Sequence, residues 1–160
     1  MWNKEDMTRG LGREGEPYLL FSLGGEIYGI HIERLREIVS PAGMKPLSPS
    51  AFKYCLELGF RGGRIPAIQA SKFFDYPGGP EEPKSVLVVG DQDKPFGLLV
   101  DEIRGVWNIR ETELKPFPRF VSSLNPQYIR GIGKVEERPV FLLNVNSLSH
   151  MGEISTFYGQ

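Results

Sequence analysis

The sequence predicts an all-β protein built from two small closed barrels of five strands each. The first observation is a repeat, because the stretch at 96–107 (FGLLVDEIRGVW) echoes the stretch at 28–39 (YGIHIERLREIV) at a constant offset, 96 − 28 = 68. The second is that short apolar runs alternate with glycine turns along both halves, which is typical of β-meanders. The third is a long proline-rich connection at the same place in each half. Together these observations indicate one strand plan laid down twice in tandem.

In the first half, Gly24 and Gly25 lie between two β-rich runs and supply the positive φ angles of a tight hairpin. A single helical turn is expected at 32–35, where acidic Glu33 stands at the amino end. The strands predicted in this half are 18–23, 26–31, 36–40, 56–60 and 64–69.

The second half repeats the order after PGGPEEP at 77–83, the clearest linker in the chain. Its predicted strands are 85–91, 96–100, 105–109, 128–135 and 139–145. Neither half of roughly 70 residues has a large core of its own, so we expect the halves to pack on each other. The expected division is a mobile N-terminal tail at 1–17, a first barrel at 18–76, a second barrel at 84–150 and a C-terminal tail at 151–160.

Composition excludes several classes of function. The 160 residues carry a net charge of −1 without runs of Lys or Arg, which disfavours binding to nucleic acid. A lone cysteine, Cys55, excludes an internal disulfide framework and suits a reducing compartment. No apolar segment approaches the roughly 18 residues of a membrane span, and the first residues do not form a signal peptide. We therefore expect a cytoplasmic protein that does not insert into membranes.

Catalysis requires converging reactive groups, and the sequence is short of them. His31 and His150 are its two histidines, and both are expected at the surface. Metal-binding spacings of His and Cys are missing, and Cys55 is more typical of a small core residue than of a nucleophile. The sequence predicts neither an enzyme, nor a cofactor, nor a metal site.

Two arginines occur in similar contexts, because Phe60-Arg61-Gly62 aligns with Ile129-Arg130-Gly131 at an offset of 69. The run at 65–69 then falls on the run at 140–144, at an offset of 75. Either arginine could be an ordinary exposed residue at a strand end. For Arg61, the glycines around it suggest instead that another backbone or a partner approaches.

Five motifs in order resemble a known family. SLGGEIYGIHI, LREIV, GFRGGRIPAI, GLLVDEI and YIRGIGKVEERPVFLLNV are similar to the CheW-type adaptor domain of bacterial chemotaxis, over residues 18–150. The resemblance implies two SH3-like barrels packed side by side and a non-catalytic role. That role is to couple a chemotaxis histidine kinase to the cytoplasmic tip of methyl-accepting receptors, within chemoreceptor arrays.

The resemblance also implies site residues. It places Glu37 and Arg61 near a receptor-facing groove, with Leu35, Ile38 and Phe60 as apolar neighbours. The regulatory domain of the kinase is expected on the first barrel, in the region of Gly59 and Gly62. Departures from the family pattern, which put the standard partner surfaces in question more than the fold, are Gly59, Gln69, Ala70 and Asn144.

A different class of function is a β-barrel that binds a small ligand, since small barrels often enclose one. The sequence disfavours it, because the predicted barrel interiors are filled with Ile, Leu and Val. Pull-down against a chemotaxis kinase separates the two hypotheses.

Overall fold

The computed structural model describes residues 14–47, 52–74, 84–117 and 126–159. Within these ranges the chain forms eleven strands, three short helices and three 3₁₀ turns. The strands are β1 (Glu16–Leu23), β2 (Glu26–His31), β3 (Leu35–Val39), β4 (Lys45–Pro46), β5 (Cys55–Phe60), β6 (Gly63–Gln69), β7 (Ser85–Gly90), β8 (Pro95–Val100), β9 (Glu102–Ile109), β10 (Ile129–Val135) and β11 (Arg138–Leu143). The helices are α1 (Ala70–Phe73), α2 (Val145–Ser149) and α3 (Gly152–Phe157), and the 3₁₀ turns are Ile32–Arg34, Glu111–Glu113 and Pro126–Tyr128.

All of the predicted strands are present, with ends shifted by at most a few residues. The two-residue strand β4 is additional. Strand β1 begins at Glu16, because Glu16 and Pro17 already lie opposite Ile109 and Asn108 of β9. The last two residues of the expected N-terminal tail therefore belong to the sheet.

Two sheets curl into the two SH3-like barrels. Sheet A has the order β10-β11-β2-β1-β9, and sheet B has the order β3-β7-β8-β6-β5-β4. Within each sheet, antiparallel hairpins are joined through one parallel pair, β11 with β2 in sheet A and β6 with β8 in sheet B.

The barrels exchange strands between the two halves of the sequence, which differs from the division into 18–76 and 84–150. Sheet A takes β1 and β2 from the first half and β9, β10 and β11 from the second. Sheet B takes β7 and β8 from the second half and the remaining strands from the first. The physical reason is that the outer edges of β2 and β8 each pair with a strand from the other half. The linker expected at 77–83 lies outside the described residues.

The repeat of 68 residues is confirmed in space. Tyr28 stands opposite Phe21 in sheet A, and Phe96 stands opposite Val89 in sheet B, with both rings buried. The glycine that follows each ring is needed, because a Cβ at Gly97 would lie 2.8 Å from the side chain of Val86. The two strands therefore fill equivalent core positions.

The predicted equivalence of Arg61 and Arg130 is wrong. Arg61 lies in the turn of the β5–β6 hairpin, whereas Arg130 lies at the start of β10. The residue that matches Arg61 is Glu136, in the turn of the β10–β11 hairpin, and the two have φ angles of 49° and 48°. The offset across this region is therefore 75, because 136 − 61 = 75. The two Arg-Gly dipeptides are alike in sequence but do not occupy equivalent positions in the structure.

The main apolar cluster lies between the barrels. It contains buried residues of sheet A, such as Leu19 and Tyr28, together with residues of sheet B, such as Phe96 and Leu98. Two smaller clusters fill the barrel interiors. The packing of the two barrels on each other thus forms the largest part of the core.

The segment expected as a C-terminal tail contains helix α3, which packs on this core. Ile154 is buried, and the Glu153 carboxylate accepts hydrogen bonds from the backbone N–H groups of Lys53, Tyr54 and Cys55 at 3.0–3.2 Å. Helix α3 therefore ties the end of the chain to the start of β5.

Candidate partner-binding surface

Glu37 and Arg61 meet at the seam of the sheet B barrel. Glu37 lies on the edge strand β3, and Arg61 lies in the β5–β6 turn on the other side of the curled sheet. Arg61 Nη2 donates to Glu37 Oε2 at 3.3 Å, with side-chain exposures of 69% and 42%. The predicted proximity of these two residues is confirmed, and the ion pair bridges a gap that strand hydrogen bonds leave open.

The turn holds Arg61 in an unusual backbone conformation. Arg61 and Gly62 have φ angles of 49° and 76°, as the two central residues of a tight hairpin require. Glycine adopts this region freely, but a residue with a Cβ is destabilised by about 1 kcal/mol or more. The Arg61 guanidinium also stands 5.1 Å from the centre of the Phe60 ring, a cation–π arrangement. The arginine side chain is thus kept at the tip despite the backbone cost.

A bulge in β3 positions Glu37. The register of β3 against β7 shifts between Leu35 and Glu37, which leaves Arg36 as the extra residue. Arg36 Nε donates to the Gly90 carbonyl at 2.7 Å and fixes the bulge. The strand after the bulge therefore presents Glu37 towards the hairpin tip.

The apolar candidates divide into three environments. Phe60 packs, with Val39, against the apolar cluster inside the sheet B barrel. Ile38 is 39% exposed, and it is the one exposed large hydrophobic residue among the described positions. Because neighbours on a strand point to opposite faces, Ile38 faces away from Glu37 and Val39. Leu35 packs instead against the cluster between the barrels, so the structure groups Glu37, Phe60 and Arg61 and leaves Leu35 apart.

The glycines near Arg61 border open space. A Cβ added at Gly59 or Gly62 would have none of the described atoms within 4 Å. Gly59 is exposed and does not need a positive φ angle. This part of the β5–β6 hairpin is therefore accessible, and the predicted kinase contact there stays a prediction.

Sequence reasoning missed a second ion pair on the same hairpin. Arg64 Nη1 lies 3.0 Å from Glu57 Oε2, and the Glu57 side chain is only 8% exposed. Glu57 alternates with apolar residues along β5, and this sequence pattern alone does not show that the Glu57 side chain is buried. The hairpin thus carries two arginines, of which Arg61 pairs across the seam and Arg64 within the hairpin.

Arg130 belongs to a different network, inside sheet A. Tyr18 Oη donates to Glu111 Oε1 at 2.7 Å, while Arg130 donates to Tyr18 Oη at 3.0 Å and pairs with Glu111 at 3.0 Å. The hydrogen bond from Tyr18 lowers the pKa of Glu111, and the Arg130 charge adds to the effect. Burial, with the Glu111 hydrogen bond, raises the pKa of Tyr18. Arg130 therefore ties β10 to β1.

Groups suited to catalysis or metal binding do not converge within the described ranges. No cluster of three or more His, Cys, Asp or Glu side chains with the geometry of a metal site occurs there. Cys55 is buried, which raises the pKa of its thiol, and the Glu153 charge adds to the shift. His31 is less exposed than expected, with 15% of its side chain accessible, and its Nδ1 accepts from the Glu33 N–H at 3.2 Å. His150 lies at the surface.

The fold and this surface define a double-barrel β-protein whose exposed features suit contact with other proteins. The CheW-like domain model matches residues 17–153, so the chain belongs to that family. The chain is 28% identical to the chemotaxis protein CheW of Klebsiella aerogenes over 144 residues, covering 88% of this chain and 86% of that protein. It is 29% identical to the chemotaxis protein CheW of Helicobacter pylori over 133 residues, covering 82% and 79%.

A solved structure supports the fold. The scaffolding protein TtCheW from Thermoanaerobacter tengcongensis superposes with a TM-score of 0.75 at 23% identity, covering 88% of this chain and 91% of that one. Family and relatives together support a chemotaxis scaffold or adaptor, and no finding supports the small-ligand alternative. Among the described residues, no helix is long and apolar enough to cross a membrane.

Proposed function

We propose that this chain couples a chemotaxis histidine kinase to the cytoplasmic tip of methyl-accepting receptors, as part of a cytoplasmic chemoreceptor array. The observation that carries the proposal is the Glu37–Arg61 ion pair, with exposed charges next to the Phe60 ring. An arginine kept at a turn position that favours glycine is expected where the side chain is needed. In this proposal its role is recognition and not catalysis.

The receptor-facing surface consists of Glu37, Phe60 and Arg61, with Ile38 at its margin. A helical hairpin tip laid across the β3 seam would cover the ion pair, and it would reach Ile38 on the opposite face by wrapping around the edge strand β3. Apolar contacts to Phe60 and Ile38 would supply affinity, while the charges would set orientation and partner choice. Leu35 contributes indirectly, by packing β3 against the core between the barrels.

The kinase regulatory domain is assigned to the same barrel, in the open space beside Gly59 and Gly62. Gly59→Arg tests this assignment, because the exposed site accepts a long side chain without a clash among the described residues. The substitution is expected to weaken kinase binding at least tenfold while receptor binding is retained. Unchanged kinase affinity would move the kinase surface elsewhere.

A reconstitution tests the function itself. A receptor-tip fragment, a kinase regulatory domain and this chain are mixed in pairs and all together, and complexes are separated by size. The proposal expects binary complexes with each partner and a ternary complex that contains all three. If the chain binds neither partner, the coupling role is wrong even though the family is established.

A further inference from the structure

A pocket of about 140 Å³ lies in the sheet A barrel and is lined by residues from all five strands of that sheet. Its apolar walls belong to the cluster inside this barrel and include Leu20 and Trp107. Its rim carries two arginines and one carboxylate, Arg104, Arg138 and Glu136. Pockets for small molecules and cofactors usually measure about 300–1,000 Å³, so this pocket is suited to a single amino-acid side chain.

Arg104 holds the same place in the repeat as Arg36, because 104 − 36 = 68. Strand β9 skips Arg104 where it pairs with β1, so that Arg104 is the extra residue of a bulge, as Arg36 is in β3. The two barrels thus place an arginine at equivalent bulges, and the two side chains can be compared directly.

The hydrogen bonds of the two arginines differ. Arg36 Nε donates to the Gly90 carbonyl at 2.7 Å. The corresponding carbonyl in sheet A is that of Ser22, since 90 − 22 = 68, and it accepts instead from the Asp101 N–H at 3.1 Å. Arg104 Nε is buried and has no hydrogen-bond partner among the described residues. One of the two equivalent arginines therefore has an unused donor.

The other contacts of the rim arginines leave a carboxylate to be supplied. Arg104 Nη2 lies 3.7 Å from Glu102 Oε2, too far for a hydrogen bond, and the other oxygen of Glu102 accepts from Lys84 Nζ at 2.9 Å. Arg138 donates to a backbone carbonyl at 3.2 Å and makes no ion pair with another described residue. Glu136 supplies one negative charge, so the rim has a net charge of +1, because 2 − 1 = 1.

We propose that this pocket takes one acidic side chain of a protein partner. The apolar stem of that side chain lies against Trp107, and its carboxylate accepts from the Arg104 guanidinium. A turn of the guanidinium directs Nε–H and Nη–H to the two carboxylate oxygens, which is the two-point contact that arginine makes with carboxylates. Arg138 adds a second cation at the rim.

The charge and the lining favour a carboxylate over a phosphate. A net charge of +1 matches one carboxylate, whereas a phosphorylated side chain carries between one and two negative charges and is larger. The apolar walls also match an apolar stem. The proposal does not depend on the receptor or kinase assignments, because those surfaces lie on the sheet B barrel.

NMR of the full ¹⁵N-enriched chain tests the proposal through the Nε–H signals of the arginine side chains. The probes are acetyl-Ala-Glu-Ala-amide, the matching peptide with glutamine in the centre, and inorganic phosphate. The glutamate peptide is expected to shift the Arg104 Nε–H signal until it saturates. The Arg36 Nε–H signal should stay in place, because its donor is occupied. The glutamine peptide and phosphate should leave both signals unchanged.

Arg104→Gln and Arg36→Gln form a matched pair of variants, with peptide binding followed by the Trp107 indole signal. Arg104→Gln should weaken binding of the glutamate peptide about tenfold or more, because it removes charged donors. Its Tm should change little, since its one ion pair is long and exposed. Arg36→Gln should lower the Tm, because the bond to Gly90 is lost, and should retain peptide binding.

Four results would overturn the proposal. An Arg104 Nε–H signal that does not move, or that moves no more than that of Arg36, would show that the donor is not used. Equal binding of the glutamine peptide would show that the pocket holds only the apolar stem. Phosphate binding as tight as that of the glutamate peptide would make the pocket a general anion site. Unchanged peptide affinity in Arg104→Gln would place the peptide elsewhere.

Discussion

Replacement of Arg61 is the sharpest test of the proposed receptor-facing surface, because stability and binding are expected to respond in opposite ways. In the free protein the Glu37–Arg61 pair is largely exposed. Exposed ion pairs contribute only about 0.2–1 kcal/mol. Arg61→Ala should therefore change the melting temperature little, and Arg61→Gly should raise it, because glycine removes the strain of the positive φ angle.

Binding to the receptor tip should behave differently. If the partner covers the pair, removing Arg61 leaves the Glu37 carboxylate buried without its cation. Truncating one member of a buried charge pair costs about 2–5 kcal/mol, which corresponds to about a 30-fold loss of affinity or more. Both Arg61→Ala and Arg61→Gly should show this loss, although one of them is more stable than the wild type.

The assay is a titration of each variant with the receptor-tip fragment, measured by calorimetry, beside a thermal melt. Arg138→Ala is the matched control, because Arg138 is an exposed arginine on the corresponding hairpin of sheet A. Arg130 is unsuitable as a control, since its contacts with Tyr18 and Glu111 make its loss a change in stability. Equal, small losses of affinity from Arg61→Ala and Arg138→Ala would show that Arg61 is an ordinary surface residue.

Three further outcomes are expected. Glu153→Ala removes the acceptor of three backbone N–H groups and should lower the free energy of unfolding by about 2–3 kcal/mol, or the Tm by about 4–12 °C. Glu153→Gln keeps one oxygen, so its Tm should lie between those of the wild type and Glu153→Ala, and an unchanged Tm for Glu153→Ala would contradict the role of α3. The pKa of Glu111 is lowered in the folded protein, so the stabilisation by its carboxylate is present at neutral pH and is lost as pH falls through the lowered pKa. Glu111→Gln should therefore flatten the acid side of a plot of stability against pH, and an unchanged acid side would contradict this prediction. Fragments 1–76 and 84–160 should each fail to give dispersed amide spectra alone, because each barrel needs strands from both; a folded single fragment would refute the exchange.

Much of the fold could be predicted because the repeat places equivalent residues in equivalent core positions. Tyr28 and Phe96, each followed by glycine, were identified from the sequence and are equivalent in space. The exchange of strands could not be predicted, because alternation of apolar residues defines which face of a strand is buried but not which strand pairs with its edge. The pattern is the same whether β2 pairs with β6 or with β11.

The candidate site was predicted in part, for similar reasons. The proximity of Glu37 and Arg61 followed from the family resemblance and is confirmed. The pairing of Arg61 with Arg130 failed, because a turn is defined by backbone φ angles and the equivalent turns carry different residue types, Arg-Gly and Glu-Glu. Contacts such as Tyr18 with Arg130 join residues 112 positions apart, and no local pattern reveals them.

The exchange of strands has a consequence for a scaffold or adaptor protein. Each barrel is completed by strands from the other half of the sequence, and the largest apolar cluster lies between the barrels. Movement of one barrel relative to the other would therefore disturb this shared cluster and the connections between exchanged strands. Preorganised surfaces bind with a smaller loss of conformational freedom, and they keep a fixed orientation between the molecules they join. An adaptor gains its effect from that fixed geometry, which explains how a protein without converging reactive groups in its described residues can still serve in signalling.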